Sequence, residues 1–278
     1  MTSIPALRTS VRSLLVGCSL LALAACGNDD PKDTYVEAPV EKLYNDATDA
    51  MLNGSFDQAS KKFDEVERQH PYSVWATKAQ LMSAYALYQR NKYDESLVAL
   101  DRFIQLHPGN RDAPYAYYLK ALNYYEQIAD VGRDQRLTDK ALKALEEVVR
   151  RFPESVYARD ARIKIDLTRD HLAGKEMEIG RFYERSGQEV AAINRYRTVI
   201  EKFQTTTHVP EALHRLTECY LAVGLREEAQ TSAAVLGHNF PGSPWYQASY
   251  ALLEGVNLTP AEDQGSWISR ALASVNPF

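Results

Sequence analysis

An all-α fold, a solenoid of about five helical hairpins, is what this 278-residue sequence predicts, and three observations carry the prediction. Five small residues are each followed twelve positions later by a residue suited to ending a helix: Ala59 with Pro71, Ser96 with Pro108, Ala141 with Pro153, Ala192 with Gln204 and Ala229 with Pro241. Large apolar side chains stand four and seven positions after the small one, as Phe63 and Val66, Leu100 and Phe103, Leu145 and Val148, and Tyr196 and Val199; Ala233 with Leu236 is the weakest pair. A turn residue precedes each small residue by five positions, at Gly54, Asn91, Arg136, Gly187 and Gly224. Residues at i, i+4 and i+7 share one face of a helix, and a small residue at i lets a neighbouring helix approach closely.

The elements follow in order. The first hairpin carries Ala47 and Ala59, split at Gly54; the second carries Ala84 and Ser96, split at Asn91. In the third, Ala121 pairs with Ala141 at a spacing eight residues too long, and Pro108 to Pro153 is 45 residues where Pro71 to Pro108 is 37. Both counts place an eight-residue insertion in the loop-like run Asp130–Arg136. From Pro153 to Gln204 is 51 residues, which leaves room for an additional or lengthened helix over Tyr157–Ala173. The fourth hairpin carries Gly180 and Ala192, and the fifth, opened by Pro210, carries Thr217 and Ala229. Ser243–Gly255 suits a capping helix. Beyond it Trp267, Ile268, Ala271 and Leu272 have helical spacing within a partly disordered tail expected to fold on a partner. The order small, turn, small, aromatic, apolar, Pro resembles the tetratricopeptide repeat, whose period is about 34 residues. That resemblance implies a right-handed superhelical solenoid in which each hairpin buries its apolar face only against its neighbours.

Residues 1–25 are expected to be a lipoprotein signal peptide. Arg8 and Arg12 form a basic start, Leu14–Leu23 an apolar run too short to span a bilayer, and Leu23-Ala24-Ala25-Cys26 resembles a bacterial lipobox. Cys26 would then begin the mature chain and carry covalent lipid, with residues 26–39 as a polar, flexible tether. In lipoproteins of this kind an Asp after the Cys favours inner-membrane retention; Gly27 stands here, which implies the periplasmic face of the outer membrane. Loss of Arg8 and Arg12 makes a formal net charge of −5 more negative by two, which argues against a nucleic-acid partner. Cys18 leaves with the signal, so Cys219 remains the one thiol beside Cys26 and no internal disulfide is expected.

The residues offer no catalytic constellation. None of the six histidines has metal-ligand spacing, and neither a GxSxG elbow nor a phosphate-cradling glycine loop occurs. His70 and His107 precede repeat-ending prolines, where Phe152 and Phe240 stand in other repeats, and suit packing or capping. Cys219 suits a small apolar position on a repeat helix. No cofactor and no metal is expected.

Tyrosine is abundant, at 17 residues. In the tetratricopeptide fold, positions 2, 5, 9 and 12 of each hairpin's first helix face the concave groove. In the first three repeats they include Tyr44, Tyr85, Tyr88, Tyr115, Tyr118 and Tyr125, an aromatic groove suited to an extended apolar peptide. The same positions later hold Gly174, Met177, Arg181 and Glu184, then Glu211, His214, Glu218 and Leu221, a charged one. The division is therefore residues 40–129 as N-terminal repeats with the aromatic groove, 130–241 as C-terminal repeats, and 242–278 as cap and tail.

A lipobox, five repeats, an insertion in the third and an extra helical stretch before the fourth together resemble the BamD family of outer-membrane assembly lipoproteins. Asp101-Arg102-Phe103-Ile104-Gln105-Leu106-His107-Pro108, the insertion Asp130–Arg136 and Ala191-Ala192-Ile193-Asn194-Arg195 make the likeness specific. It implies a non-catalytic scaffold that helps fold and insert β-barrel proteins. The implied partners are a BamA-type barrel protein, other Bam lipoproteins, unfolded barrel clients, and the membrane through the lipid on Cys26. In the family, N-terminal repeats recognise the clients' C-terminal targeting segment. C-terminal repeats dock on BamA, where the Asn-Arg pair maps onto Asn194 and Arg195 and meets an acidic partner. The alternative is a repeat lipoprotein adaptor that recruits a periplasmic protease or a cell-wall synthase.

Overall fold

The structure, a computed structural model, describes residues 37–273; Cys26, nearly all of the tether and residues 274–278 lie outside the described residues. Among the described residues, those from Val40 onward form one compact unit. Among the described residues there are twelve helices and no strand. Five hairpins account for ten: α1 (Val40–Leu52) with α2 (Phe56–Gln69), α3 (Val74–Gln89) with α4 (Tyr93–Leu106), α5 (Ala113–Tyr125) with α6 (Arg136–Arg151), α7 (Val156–Arg185) with α8 (Glu189–Lys202), and α9 (Val209–Ala222) with α10 (Arg226–Asn239). The last two, α11 (Pro244–Gly255) and α12 (Trp267–Ala273), close the C-terminal end.

The repeat pattern translates directly into packing. The five small residues and their partners at plus four and plus seven are all buried, including Ala233 and Leu236 of the weakest repeat. Gly237 compensates there, since a Cβ at that position would collide with the ring of Tyr246 on α11. Gly180 does the same for Tyr196: glycine on α7 is what lets a tyrosine fill the fourth interface. Gly54, Asn91, Gly187 and Gly224 all have positive φ, which ends the first helix of a hairpin and reverses the chain within three residues. At the other end of each hairpin His70, His107, Phe152, Phe203 and Phe240 share one backbone conformation, φ from −129° to −135°, each donating its N–H to the carbonyl of the buried plus-seven residue. Phe203 adopts it without a following proline, so the fold itself imposes this ending. Helix starts after these turns are capped by Ser73, Ser155 and Ser243, whose side chains accept backbone N–H bonds.

The core is segmented. One cluster joins α1 to α3 around Phe63 and Val66, a second joins α3 to α5 around Leu100 and Phe103, a third joins α5 to α7 around Leu145 and Val148, and the largest runs from α7 to α12. Such a chain is held by nearest-neighbour interfaces. The division drawn at residue 129 falls inside the third hairpin, whose helices α5 and α6 pack on one another.

Two details differ from the sequence reading, and a third settles an alternative it left open. Arg136 opens α6 instead of ending the loop before it; the connection is 126–135, with the Arg136 N–H bonded to Asp134 Oδ1 at 3.0 Å. The stretch over Tyr157–Ala173 is the first half of the 30-residue α7, which packs against α6 and then against α8. Residues 267–273 fold on the chain itself. Ile268 and Leu272 are buried, Arg197 lies 4.5 Å above the Trp267 ring, and Gln204 donates to the Ala271 carbonyl at 3.0 Å. The apolar stripe read as waiting for a partner covers the α8 and α10 faces left open at the end of the solenoid.

Candidate functional sites: an aromatic band and a charged network

Helices α3 and α5 and the starts of α4 and α7 line up six tyrosines. Tyr93, Tyr88 and Tyr85 form one series, with centroids 6.0 and 6.4 Å apart; Tyr115, Tyr157 and Tyr118 form another, at 5.4 and 5.3 Å. Burial, followed by the adjacent phenols of Tyr85, Tyr157 and Tyr88, pushes the Tyr115 hydroxyl well above its ordinary pKa and couples the two series. Tyr88 is raised to about 12 by burial and by Glu126, to which its hydroxyl donates at 3.3 Å. Tyr118 donates to Asp160. Lys164, 3.5 Å from Asp160, sits 4.8 Å above the ring of Tyr125, which ties that residue to the same band. All of these rings are half-buried. All but Tyr93 pack against the second or third core cluster while remaining partly exposed, an arrangement suited to contact with apolar side chains.

Tyr44 is placed differently. Its ring packs against Phe63 at 5.4 Å and Trp75 at 4.8 Å and belongs to the first core cluster. Tyr93 and Tyr157 were not singled out from the sequence. Tyr93 opens a second helix, where the groove positions were not counted, and Tyr157 opens the lengthened helix. The 45-residue step that ends at Pro153 did contain a usable signal. Carried past that proline, the groove register reaches Asp160, Ile163 and Leu167, and the last two are 59% and 56% exposed on the face that Asp160 shares with Tyr118. The band thus continues onto α7 as an aliphatic strip.

The groove positions of the last two hairpins divide in two. Gly174, Met177 and His214 are buried, contrary to their reading as groove residues. The His214 ring is sandwiched beneath α11, with Nδ1 2.9 Å from Ser249 Oγ and the Trp245 ring 5.2 Å away. Leu221 packs against the core, and charged groups occupy the rest. Arg181 donates to Glu211 at 2.8 Å; Arg215 lies 2.8 Å from Glu218, 3.5 Å from Glu184 and 3.6 Å from Glu211; and the Tyr196 hydroxyl donates to Glu184 at 2.6 Å. Burial lowers the Arg215 pKa, but Glu218, Glu184 and Glu211 together hold it above its ordinary value. Arg195, on α8, donates to Glu176 of α7 at 3.2 Å and keeps 41% of its side chain exposed. Asn194 beside it is exposed and accepts the Thr198 hydroxyl on its backbone oxygen.

His107 caps α4, packs tilted against Phe103 at 5.2 Å and approaches Gln80 Oε1 at 2.9 Å, the packing and capping role read from its position. Cys219 is buried, and burial with nearby Glu189 raises its thiol far from the reactive range. Among the described residues no group of three or more His, Cys, Asp or Glu side chains is arranged to hold a metal ion.

Comparison with known proteins is consistent along the whole solenoid. The family model for YfiO, described as outer membrane lipoprotein, matches residues 36–236. The outer membrane protein assembly factor BamD of Caulobacter vibrioides is 52% identical over 254 residues, covering 91% of this chain and 82% of that one. BamD of Rickettsia prowazekii is 43% identical, covering 87% and 96%, and BamD of Neisseria meningitidis serogroup B is 34% identical, covering 84% and 94%. The matched span includes the insertion, the lengthened α7 and the charged hairpins together, and on that basis the chain belongs to the BamD family of outer membrane lipoproteins.

Proposed function

We propose that this chain is a non-catalytic scaffold of the β-barrel assembly machinery, anchored to the periplasmic face of the outer membrane by lipid on Cys26. The observation that carries the reading is the 52% identity to an outer membrane protein assembly factor across nine-tenths of the chain. The tyrosine band receives an extended apolar segment of an unfolded barrel client. The hairpins α7–α10 dock a BamA-type barrel subunit, and Arg195 with Asn194 supplies a polar contact. Arg195 already has a carboxylate neighbour in Glu176, so an acidic residue of the partner would share or replace that pair, a charge-assisted exchange with little reorganisation. No covalent step is required: the lipid holds scaffold, partner and client at one surface and raises their effective concentration.

Affinity purification of the full-length lipoprotein from gently solubilised membranes, followed by a high-salt wash and mass spectrometry, tests the assembly role. A BamA-type barrel protein is expected as the dominant partner, and Arg195→Glu should release it. A protease or cell-wall synthase in its place, without any barrel protein, would establish the adaptor alternative.

A further inference from the structure

Successive helices run antiparallel, so α1, α3, α5 and α7 all begin on one edge of the solenoid. That edge consists of the start of α1 at Val40 and the turns 70–73, 107–112 and 152–155. Its chemistry is unusual for a soluble surface. Tyr72 is fully exposed, and Val74 and Val156, each just after a serine cap, are 76% exposed. Around the α6–α7 turn stand Arg150, Arg151, Arg159 and Arg162, against Glu147 and Glu154. Lys78 and Arg111 extend the basic character towards α3 and α5, where Arg111 is 92% exposed at 3.6 Å from Asp112; the start of α1 is not basic, with Glu37 and Glu41 exposed beside Lys42. The opposite turns are built on Gly54, Asn91 and Gly187. Leu52, Phe182 and Val190 are exposed beside them, so the two edges differ less in apolar exposure than in the arginines around the α6–α7 turn.

We infer that the edge bearing Tyr72, Val74 and Val156 rests on the lipid bilayer, with these side chains at headgroup level and the arginines against anionic headgroups. The inference depends on the lipid anchor proposed above. The occupant follows from where the anchor segment joins the fold. The chain that links Cys26 to the fold joins it at Val40, on this edge, and fourteen residues span at most about 50 Å. Tyrosine at the interface and basic residues against anionic lipid are the two side-chain classes that bilayer surfaces attract. The edge ends at α7. The α8–α9 turn meets that helix at its middle, where the Thr207 N–H bonds Asp170 at 2.9 Å, about 20 Å of helix beyond Val156. The α8–α9 turn and hairpin five are thereby stepped away from the surface and left open to a protein partner.

The test uses the full lipidated chain in phosphatidylethanolamine–phosphatidylglycerol vesicles, with an environment-sensitive fluorophore on Tyr72→Cys or, on the opposite edge, Gln188→Cys. Cys219 is buried and stays unlabelled. Lipids with a headgroup-level quencher should quench the probe at residue 72 severalfold more than at 188, and Arg150→Glu with Arg159→Glu should reduce that difference. Equal quenching at both positions, on a chain whose Cys26 lipid is verified by mass spectrometry, would overturn the inference alone. Shielding of residue 72 only after a barrel subunit is added would overturn it in favour of a protein interface. A chain without lipid on Cys26 would remove the anchor and this inference together.

Discussion

The first three hairpins and the last two share one skeleton and present opposite chemistry. Ala59, Ser96, Ala141, Ala192 and Ala229 are all buried at equivalent contacts, yet the outward positions of α3 and α5 hold tyrosines where α7 and α9 hold Arg181, Glu184, Glu211 and Glu218. The skeleton needs only three or four positions per helix, and the remainder can be set by a ligand without cost to the fold. A tyrosine band offers broad contact with weak directional demand, suited to many related peptides. A network in which Arg215 serves three carboxylates is directional and suits one structured partner.

The largest expected effect tests whether the two regions are also separate in stability. Phe63→Ala and Tyr196→Ala each remove a fully buried aromatic side chain, at about 3–5 kcal/mol. Because the core is segmented, hydrogen exchange should show protection lost around α1–α3 in the first variant and around α7–α10 in the second. Uniform loss in either would mean the chain unfolds as one unit and would break the comparison.

Arg215→Met comes next. It leaves Glu184, Glu211 and Glu218 facing one another, and with roughly a quarter of the arginine side chain in contact with solvent the cost is discounted to about 1–3 kcal/mol. A thermal melt should show the loss, while binding of an apolar peptide to the tyrosine band stays unchanged. The converse experiment is Tyr85→Ala with Tyr88→Ala, which should weaken peptide binding by roughly tenfold and leave helical circular dichroism intact. Global unfolding would assign these tyrosines to packing.

The smallest effect concerns pH. His214 is held below its ordinary value of 6.5, chiefly by burial and then by the Arg215 charge, against the opposing pull of Glu184 and Glu211; Glu218 lies 3.5 Å from its Nε2, and α11 contributes the neutral Ser249 and Trp245. The unfolded chain therefore takes up a proton that the folded chain resists. Stability from this group is complete above about pH 6.5 and declines as pH falls below it. His214→Gln should flatten that decline. An unchanged slope would place its origin elsewhere.

The repeat was legible because it is a local code. Small residues, turn glycines and pre-proline endings act within a dozen residues, and every one lies in the structure where its spacing put it. The insertion and the lengthened helix were legible too, as two unrelated irregularities in the count. Their relation was decided by tertiary packing alone: His171, midway along α7, approaches the Ala129 carbonyl of the insertion loop at 2.8 Å, and Gly174 nestles between Val131 and His208. The loop fills the step that the long helix creates, a contact across 42 residues that no local period encodes. The same limit applies to the sites. Groove register put Tyr85, Tyr88, Tyr115, Tyr118 and Tyr125 on one side of the repeats, where their rings do lie together, because position on a helix is a local property. It missed Tyr157, misplaced His214 and left residues 267–273 to an outside partner, because each is settled by which helix arrives to cover it, and that is known only once the hairpins have stacked.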